Sequence, residues 1–290
     1  MTLSVHRRLG DASYPVIASL RGDSRVTRKP PRRVSKAPRG GVARIASGSS
    51  PQVSTAPRHG VARVISKLGL GSRTQAADWV REARVRVNGR VVRDAEFPVR
   101  QGVDRIDIDG RESAAAKRIV LMLNKPRGLV TTLKDERGRA TVYDCFADAS
   151  LPWLAPVGRL DKASEGLLLF SNDPAWAARI TAPDSGPPKT YHVHIDRLPE
   201  AALLAGLHQG TMVEGEHLAV RSARNLRTGD KNAWLEIVLD EGRNRQIRRL
   251  LQAFDVSVLR LVRVAIGSLS LGELAKGQWR MLTQKEIESL

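Results

Sequence analysis

Strand-length apolar runs separated by polar turns fill the chain from residue 118 onward, and this pattern constrains the fold most. Residues 119–123 are continuously apolar, residues 191–195 alternate apolar side chains with histidines, and similar runs cover 234–239 and 258–264. Helical patterns lie between them, at residues 174–181, 199–207, 244–254 and 283–290, with Pro174 and Pro199 predicted in first turns, where no amide donor is needed. This order predicts an α+β domain built on a large, mainly antiparallel sheet.

Charge is distributed unevenly over the 290 residues, whose formal net charge is +18. Residues 1–60 carry 12 Lys and Arg against 2 Asp and Glu, residues 61–111 carry 11 against 7, and residues 112–290 carry 25 against 21. The first segment is rich in Arg, Pro, Ser and Gly without a sustained period, which predicts a disordered basic tail. Such a tail would bind RNA phosphates and set the salt dependence of affinity. A solubilising tail and an organelle transit peptide are the alternatives.

Composition also bears on location. The tail lacks the continuous apolar segment of a secretory signal or membrane span. The single cysteine, Cys145, excludes an intramolecular disulfide and a cysteine-based zinc cluster. We therefore expect a cytoplasmic protein with no membrane partner.

Residues 61–111 have the signals of a small folded unit. Ser72 and Gln75 form a capping box for a helix, and Asn88-Gly89 predicts a type I′ hairpin turn. The unit is rich in arginine, which suits either phosphate contacts or an ordinary solvated surface. Residues 112–117 are predicted to be a linker, and residues 118–290 the second domain.

One carboxylate stands out in the run from residue 157 to 168. Asp161 lies in a basic loop bracketed by Gly158 and Gly166, ahead of the apolar strand 167–170. Neighbouring cations would keep it ionised, as a nucleophile requires, although an aspartate in such a loop also serves as a turn former or an ion-pair partner.

The predicted helix 244–254 is amphipathic. Ile247 and Leu250 share one side with other apolar residues, while three arginines gather on the opposite side, at Arg245, Arg248 and Arg249. The pattern fits an ordinary surface helix, and it equally offers guanidinium groups to a phosphate or a carboxylate.

Five segments together resemble the pseudouridine synthases, specifically the RsuA branch that acts on ribosomal RNA. They occur in the family's order and spacing, at residues 123–128, 158–169, 189–191, 241–249 and 267–283. Ser164 stands where the family more often has Thr, which keeps the hydroxyl. Residues 61–111 resemble the S4-type RNA-binding domain, through Gly71-Ser72-Arg73 and the hairpin from Val85 to Gly89.

The resemblance implies the pseudouridine synthase fold, with two sheet halves, a central cleft for RNA and a small S4-type α/β domain. It implies isomerisation of uridine to pseudouridine, with Asp161 as nucleophile on a flipped-out uridine. Arg248 matches the family's basic residue that pairs with this aspartate, and Tyr191, by alternation alone a core residue, would pack beside the base. Arg159 would displace the target nucleotide from its stack. The remaining predicted RNA contacts are Lys125, Lys189, Arg243, Arg245, Arg73, Arg81, Arg84 and Arg86.

The reaction needs no metal, redox partner or nucleotide cofactor, so we expect none. The expected partner is ribosomal RNA or a ribosomal assembly intermediate, bound by a monomer. Two other classes remain open. One is a hydrolase that uses Asp161 with Glu165 or Asp240 as the acid. The other is a ribosome-associated RNA binder without activity.

Overall fold

The computed structural model describes residues 57–133 and 135–290. Residues 1–56 of the predicted tail lie outside the described residues. The boundary at residue 60 needs a correction, because Arg58–Gly60 is a strand, β1, that pairs antiparallel with Pro98–Arg100.

The small domain combines two helices with short strands around its own apolar core, which includes Val61, Ile65, Ala76 and Val80. Its elements are β1, α1 (Val61–Lys67), α2 (Arg73–Arg81), β2 (Val85–Val87), β3 (Arg90–Val91), β4 (Pro98–Arg100), β5 (Ile106–Ile108) and β6 (Arg111–Glu112). The predicted capping box is confirmed. The predicted turn is confirmed as well, because Asn88 and Gly89 have φ of 50° and 81° between paired strands β2 and β3.

The linker is shorter than predicted. Glu112 belongs to β6, and the amide of Ser113 donates to the carbonyl of Ile106. The amide of Ala116 then donates to the carbonyl of Leu68, and the Asn172 side chain donates to the carbonyl of Lys117. This segment therefore lies against both domains through hydrogen bonds.

The large domain is built on one nine-stranded sheet with helices packed on it. Its elements are β7 (Val120–Lys125), a 3₁₀ helix (Val142–Phe146), β8 (Ala155–Val157), β9 (Glu165–Ser171), α3 (Pro174–Thr181), β10 (Lys189–Ile195), α4 (Ala201–Gln209), β11 (Thr211–Val213), β12 (Glu216–Leu218), β13 (Ser222–Thr228), β14 (Ala233–Leu239), α5 (Gln246–Ala253), β15 (Val258–Ile266), β16 (Leu269–Ser270), β17 (Trp279–Met281) and α6 (Gln284–Glu288). Pro174 begins α3 as predicted, but Pro199 precedes the N-cap of α4, Glu200, and is not a helical residue.

The sheet runs in the order β13-β14-β10-β15-β9-β7-β17, with β16 on β15 and β8 on β9. Every pair in it is antiparallel except β9 and β15, which confirms the mainly antiparallel mixed sheet. The parallel pairing spans only two registers, Val262 with Glu165 and Arg263 with Gly166. The two halves of the sheet are thus joined at one short seam.

Gly166 is required at this seam. Its φ is +102°, and a Cβ there would overlap the backbone of Arg263 on the neighbouring strand. Only glycine combines this conformation with such a close approach of two backbones. The seam lies directly after the loop that carries Asp161, so it also fixes where that loop ends.

Candidate active site

The loop between β8 and β9 places Asp161 at a cleft of about 510 Å³ beside the seam of the sheet. Lining side chains come from this loop, from the end of α3, from β10 and β15, and from the segment that leads into α5. The side chain of Asp161 is 43% exposed, so a ligand in the cleft could reach it.

The direct ion-pair partner of Asp161 is Arg245. Its Nη1 lies 3.8 Å from Oδ2 of Asp161, and both side chains remain about half exposed. Arg245 is the N-cap of α5 and has left-handed backbone angles, with φ 50° and ψ 29°. This conformation, uncommon for a residue other than glycine, accompanies the turn of the chain into the helix beside the aspartate.

Arg248 has a different position from the one expected, which corrects the predicted pairing. Its Nη2 donates to the carbonyl of Ala163 at 3.3 Å and its Nη1 to the carbonyl of Val258 at 3.1 Å. Burial lowers the pKa of its guanidinium, the charge of Arg245 acts in the same direction, and the charge of Asp161 opposes both. Arg248 therefore ties the Asp161 loop to the start of β15 and supplies a positive charge near the acid.

Lys125 is fully buried at the end of β7, so its side chain is not accessible for the predicted RNA contact. Its Nζ donates to the carbonyls of Pro126, Asp161 and Ser164, at 3.1, 3.2 and 2.9 Å. Burial lowers the pKa of Lys125 to about 8. The ammonium of Lys125 therefore holds the Asp161 loop in place through hydrogen bonds to its backbone carbonyls.

Tyr191, Lys189 and Arg263 form one wall of the cleft. Tyr191 lies on β10 between Ile237 and Arg263 and is only 7% exposed. Lys189 donates to the carbonyl of Asp240 at 3.3 Å, and burial, together with the charge of Arg263, lowers its pKa. Sequence reasoning missed Arg263, whose Nε donates to the carbonyl of Leu167. The sequence signal that could have identified Arg263 is its place two residues after Leu261. Alternate residues of a strand share one face, so a charged residue there lies on the same inward face as Leu261.

Arg159 and Arg243 are also lining residues. Arg159 is exposed, two residues before Asp161. Arg243 pairs with Glu241 at 2.8 Å and donates to the carbonyl of His217. The third helix arginine, Arg249, turns away and pairs with Glu214 and Glu216 of the β11–β12 hairpin.

Comparison with known proteins decides the family. The sequence matches the RNA pseudouridylate synthase family over residues 119–253 and the S4 domain over residues 61–104. It is 37% identical to an uncharacterised RNA pseudouridine synthase of Aquifex aeolicus over 227 residues, which are 78% of this chain and 91% of the relative. The chain belongs to the RNA pseudouridine synthase family. The enzyme is accordingly an isomerase that converts uridine in RNA to pseudouridine.

Two further relatives agree with this assignment. The enzyme is 33% identical to the ribosomal large subunit pseudouridine synthase B of Bacillus subtilis over 228 residues, which are 78% of this chain and 93% of the relative. A solved pseudouridylate synthase matches with a TM-score of 0.57 and 31% identity, over 81% of this chain and 99% of the other. The predicted fold, with its S4 domain, is confirmed.

The carboxylates considered for a hydrolase do not suit that role. Glu165 is buried and pairs with Arg260 at 2.8 Å and Lys276 at 2.7 Å. Burial by itself raises the pKa of Glu165, but the hydrogen bonds from these two cations outweigh it and hold the pKa below its usual value. Asp240 pairs with Arg221. Neither carboxylate is among the residues that line the cleft.

The four S4-domain arginines predicted to contact RNA are all exposed, but their surroundings differ. Arg81 pairs with Asp78, whereas Arg84 binds Asp109 with two nitrogens and lies over the ring of Trp79. The hydrogen bonds that Arg84 donates to Asp109 raise the pKa of Arg84. Arg73, at the start of α2, and Arg86, on β2, form no ion pair within the described part of the domain, so their charges are available to a phosphate.

Two absences hold for residues 57–133 and 135–290. Those residues contain no helix with the length and apolar character that a membrane crossing requires. They also bring together no group of three or more His, Cys, Asp or Glu side chains able to hold a metal ion.

Proposed function

We propose that the enzyme converts a specific uridine of ribosomal RNA to pseudouridine, with Asp161 as the nucleophile on a flipped-out nucleotide. The observation that carries this proposal is the half-exposed Asp161 at the cleft, with Arg245 in direct contact and Arg248 fixing its loop. A carboxylate that a ligand can reach is able to act as a nucleophile, and the guanidinium groups beside it can bind a phosphate of the same ligand.

In the proposed reaction the bond between uracil N1 and ribose C1′ breaks, a bond between uracil C5 and C1′ forms, the hydrogen on C5 leaves to solvent as a proton, and N1 takes up a proton from solvent. The base must first leave its stack, which costs a few kcal/mol and favours loops over perfect duplex. Tyr191 would pack beside the base, and the exposed Arg159 would occupy the gap in the stack.

The other cations suit contacts with the RNA backbone. Arg243 and Arg245 at the cleft, and Arg73 and Arg86 on the S4 domain, keep part of each guanidinium exposed. Lys189 is buried in the cleft wall, where it would face the target nucleotide rather than its flanks. Arg81 and Arg84 already bind acidic side chains, so an RNA phosphate would compete with those acids for their guanidinium groups.

For the substrate we propose large-subunit ribosomal RNA, free or in an assembly intermediate. The support is the similarity to the relative from Bacillus subtilis, whose name refers to the large ribosomal subunit. We further propose that the enzyme works as a monomer, because a single chain supplies every group named for the site. The cytoplasmic location expected from the sequence stays a prediction.

The test is release of tritium from ribosomal RNA labelled at uracil C5. Asp161→Ala should abolish release while RNA affinity stays within a few-fold, because phosphate contacts elsewhere dominate binding. Asp240→Ala, which removes an exposed acid outside the cleft lining, is the matched control and should release tritium like the parent.

Retained activity in Asp161→Ala would refute the assignment of the nucleophile. A parental chain that releases no tritium but binds RNA would support the inactive binder instead. Free uracil among the products would support the hydrolase.

A further inference from the structure

The loop that carries Asp161 is held by its backbone. Five consecutive carbonyls, from Leu160 to Ser164, each accept a hydrogen bond. The donors, in order, are Thr131 Oγ1 (2.7 Å), Lys125 Nζ (3.2 Å), the Gly128 amide (2.8 Å), Arg248 Nη2 (3.3 Å) and Lys125 Nζ again (2.9 Å). Three of these four donor residues belong to the segment from Lys125 to Thr131, which begins at the last residue of β7.

Thr131 makes the contact closest to the acid on its N-terminal side. Its hydroxyl donates to the carbonyl of Leu160 at 2.7 Å and accepts from the amide of the same residue at 3.4 Å. Both peptide groups of Leu160 are therefore held by one side chain. Since the second of them is the peptide that leads into Asp161, this contact restricts the direction from which the chain enters that residue.

Both partners of this contact are themselves anchored. The side chain of Leu160 is buried in the main core. The residue before Thr131, Val130, donates its amide to the carbonyl of Ala140 and accepts from the amide of Val142. Thr131 thus connects a segment held by backbone hydrogen bonds to a residue of the loop that is held by the core. Thr131 is not among the residues that line the cleft.

We propose that Thr131 is a positioning residue that sets the approach of the Asp161 carboxylate to the target nucleotide. The proposal rests on the proposed role of Asp161. A displacement of about 1 Å at a reacting group can lower the rate by about a hundredfold. Because Thr131 is not a lining residue of the cleft, removal of its hydroxyl should change the rate of reaction and leave RNA binding unchanged.

The experiment compares Thr131→Val, which keeps the shape and removes the hydroxyl, with Thr131→Ser, which keeps the hydroxyl. Thr228→Val, on edge strand β13 outside the cleft lining, is the matched control. Single-turnover tritium release, RNA dissociation constant and thermal midpoint are measured for each full-length variant, with Asp161→Ala alongside. Thr131→Ala is the second variant if the valine prevents folding.

We expect Thr131→Val to slow the single-turnover rate at least about tenfold with the dissociation constant within about twofold, and Thr131→Ser to stay within about threefold of the parent. A rate in Thr131→Val close to that of Thr228→Val, or equal losses in the valine and serine variants, would overturn the proposal. If one of these two results is found while Asp161→Ala is inactive, the proposed function stands and only the role of Thr131 fails. An active Asp161→Ala overturns both.

Discussion

Two arginines three positions apart act differently on one carboxylate. Arg245 offers a solvent-exposed charge at 3.8 Å, whereas Arg248 is half-buried and uses two nitrogens to join the carbonyls of Ala163 and Val258. The exposed pair is worth little to stability because water screens it. The buried contact fixes geometry, because a planar guanidinium holds two acceptors in fixed directions.

This difference predicts unequal effects of the same substitution. Arg248→Lys should lower the single-turnover rate at least about tenfold, because one ammonium on a flexible stem does not reproduce the planar two-carbonyl contact. Arg245→Lys, the matched control, keeps an exposed charge and should stay within about threefold. Single-turnover tritium release checks both. Equal losses in the two variants would contradict this division of roles.

At the scale of elements, the seam between β9 and β15 depends on Gly166. Gly166→Ala should lower the free energy of unfolding by at least about 3 kcal/mol, because strain at positive φ adds to overlap with the Arg263 backbone. Gly128→Ala is the matched control, since Gly128 has nearly the same φ, +101°, with open space around its Cβ position.

The control should show the conformational penalty alone, about 1–2 kcal/mol. Urea unfolding midpoints measure both variants. Equal destabilisation at the two glycines would mean that close packing at the seam contributes nothing.

Local elements were predictable from the sequence, and their arrangement was not. The capping box at Ser72 and the turn at Asn88 depend on neighbouring residues, so the sequence pattern contains all the information that they need. The parallel seam joins strands almost a hundred residues apart, and no local pattern identifies such partners. The same limit applies to the site. The pairing of Asp161 with Arg245 depends on the left-handed start of α5, two residues later than the amphipathic pattern indicates.

At the scale of the whole molecule, ion pairs to one buried carboxylate connect the two halves of the sheet. Glu165 on β9 binds Arg260 on β15, and Lys276 forms a second ion pair with the same carboxylate. Because the folded protein holds the pKa of Glu165 below its ordinary value of 4.5, this group stabilises the fold above that pH. Its contribution is lost as the pH falls through the lowered value in the folded state.

Glu165→Gln should therefore lower the free energy of unfolding by about 2 kcal/mol near pH 7. The difference from the parent should narrow as the pH falls from 4.5 through the lowered pKa of the folded protein, since the parental carboxylate becomes neutral over that range. Denaturant unfolding of both proteins at a series of pH values measures this. The exposed Glu273→Gln serves as control and should show little change at any pH. A difference that stays constant down to pH 3 would contradict the prediction.

The N-terminal segment is the most basic part of the molecule, and its role can be tested by removal. Eleven Lys and Arg against two Asp lie in residues 1–56. Deleting them should reduce the slope of log affinity against log salt by at least about 2, because fewer counterions are released, while turnover at saturating RNA is kept. The cut belongs after residue 56, since Arg58–Gly60 pairs with β4. An unchanged slope would mean that this segment does not contact RNA.

The short parallel seam also has a consequence for biosynthesis. The acid-bearing loop leaves the ribosome long before its partners, since Arg248 contacts a residue 85 positions earlier and Arg260 one 95 positions earlier. Contacts of such high sequence separation form late, after most of the chain is available. We expect nascent chains that stop before β15 to be inert, so that the enzyme becomes competent only when its synthesis is nearly finished.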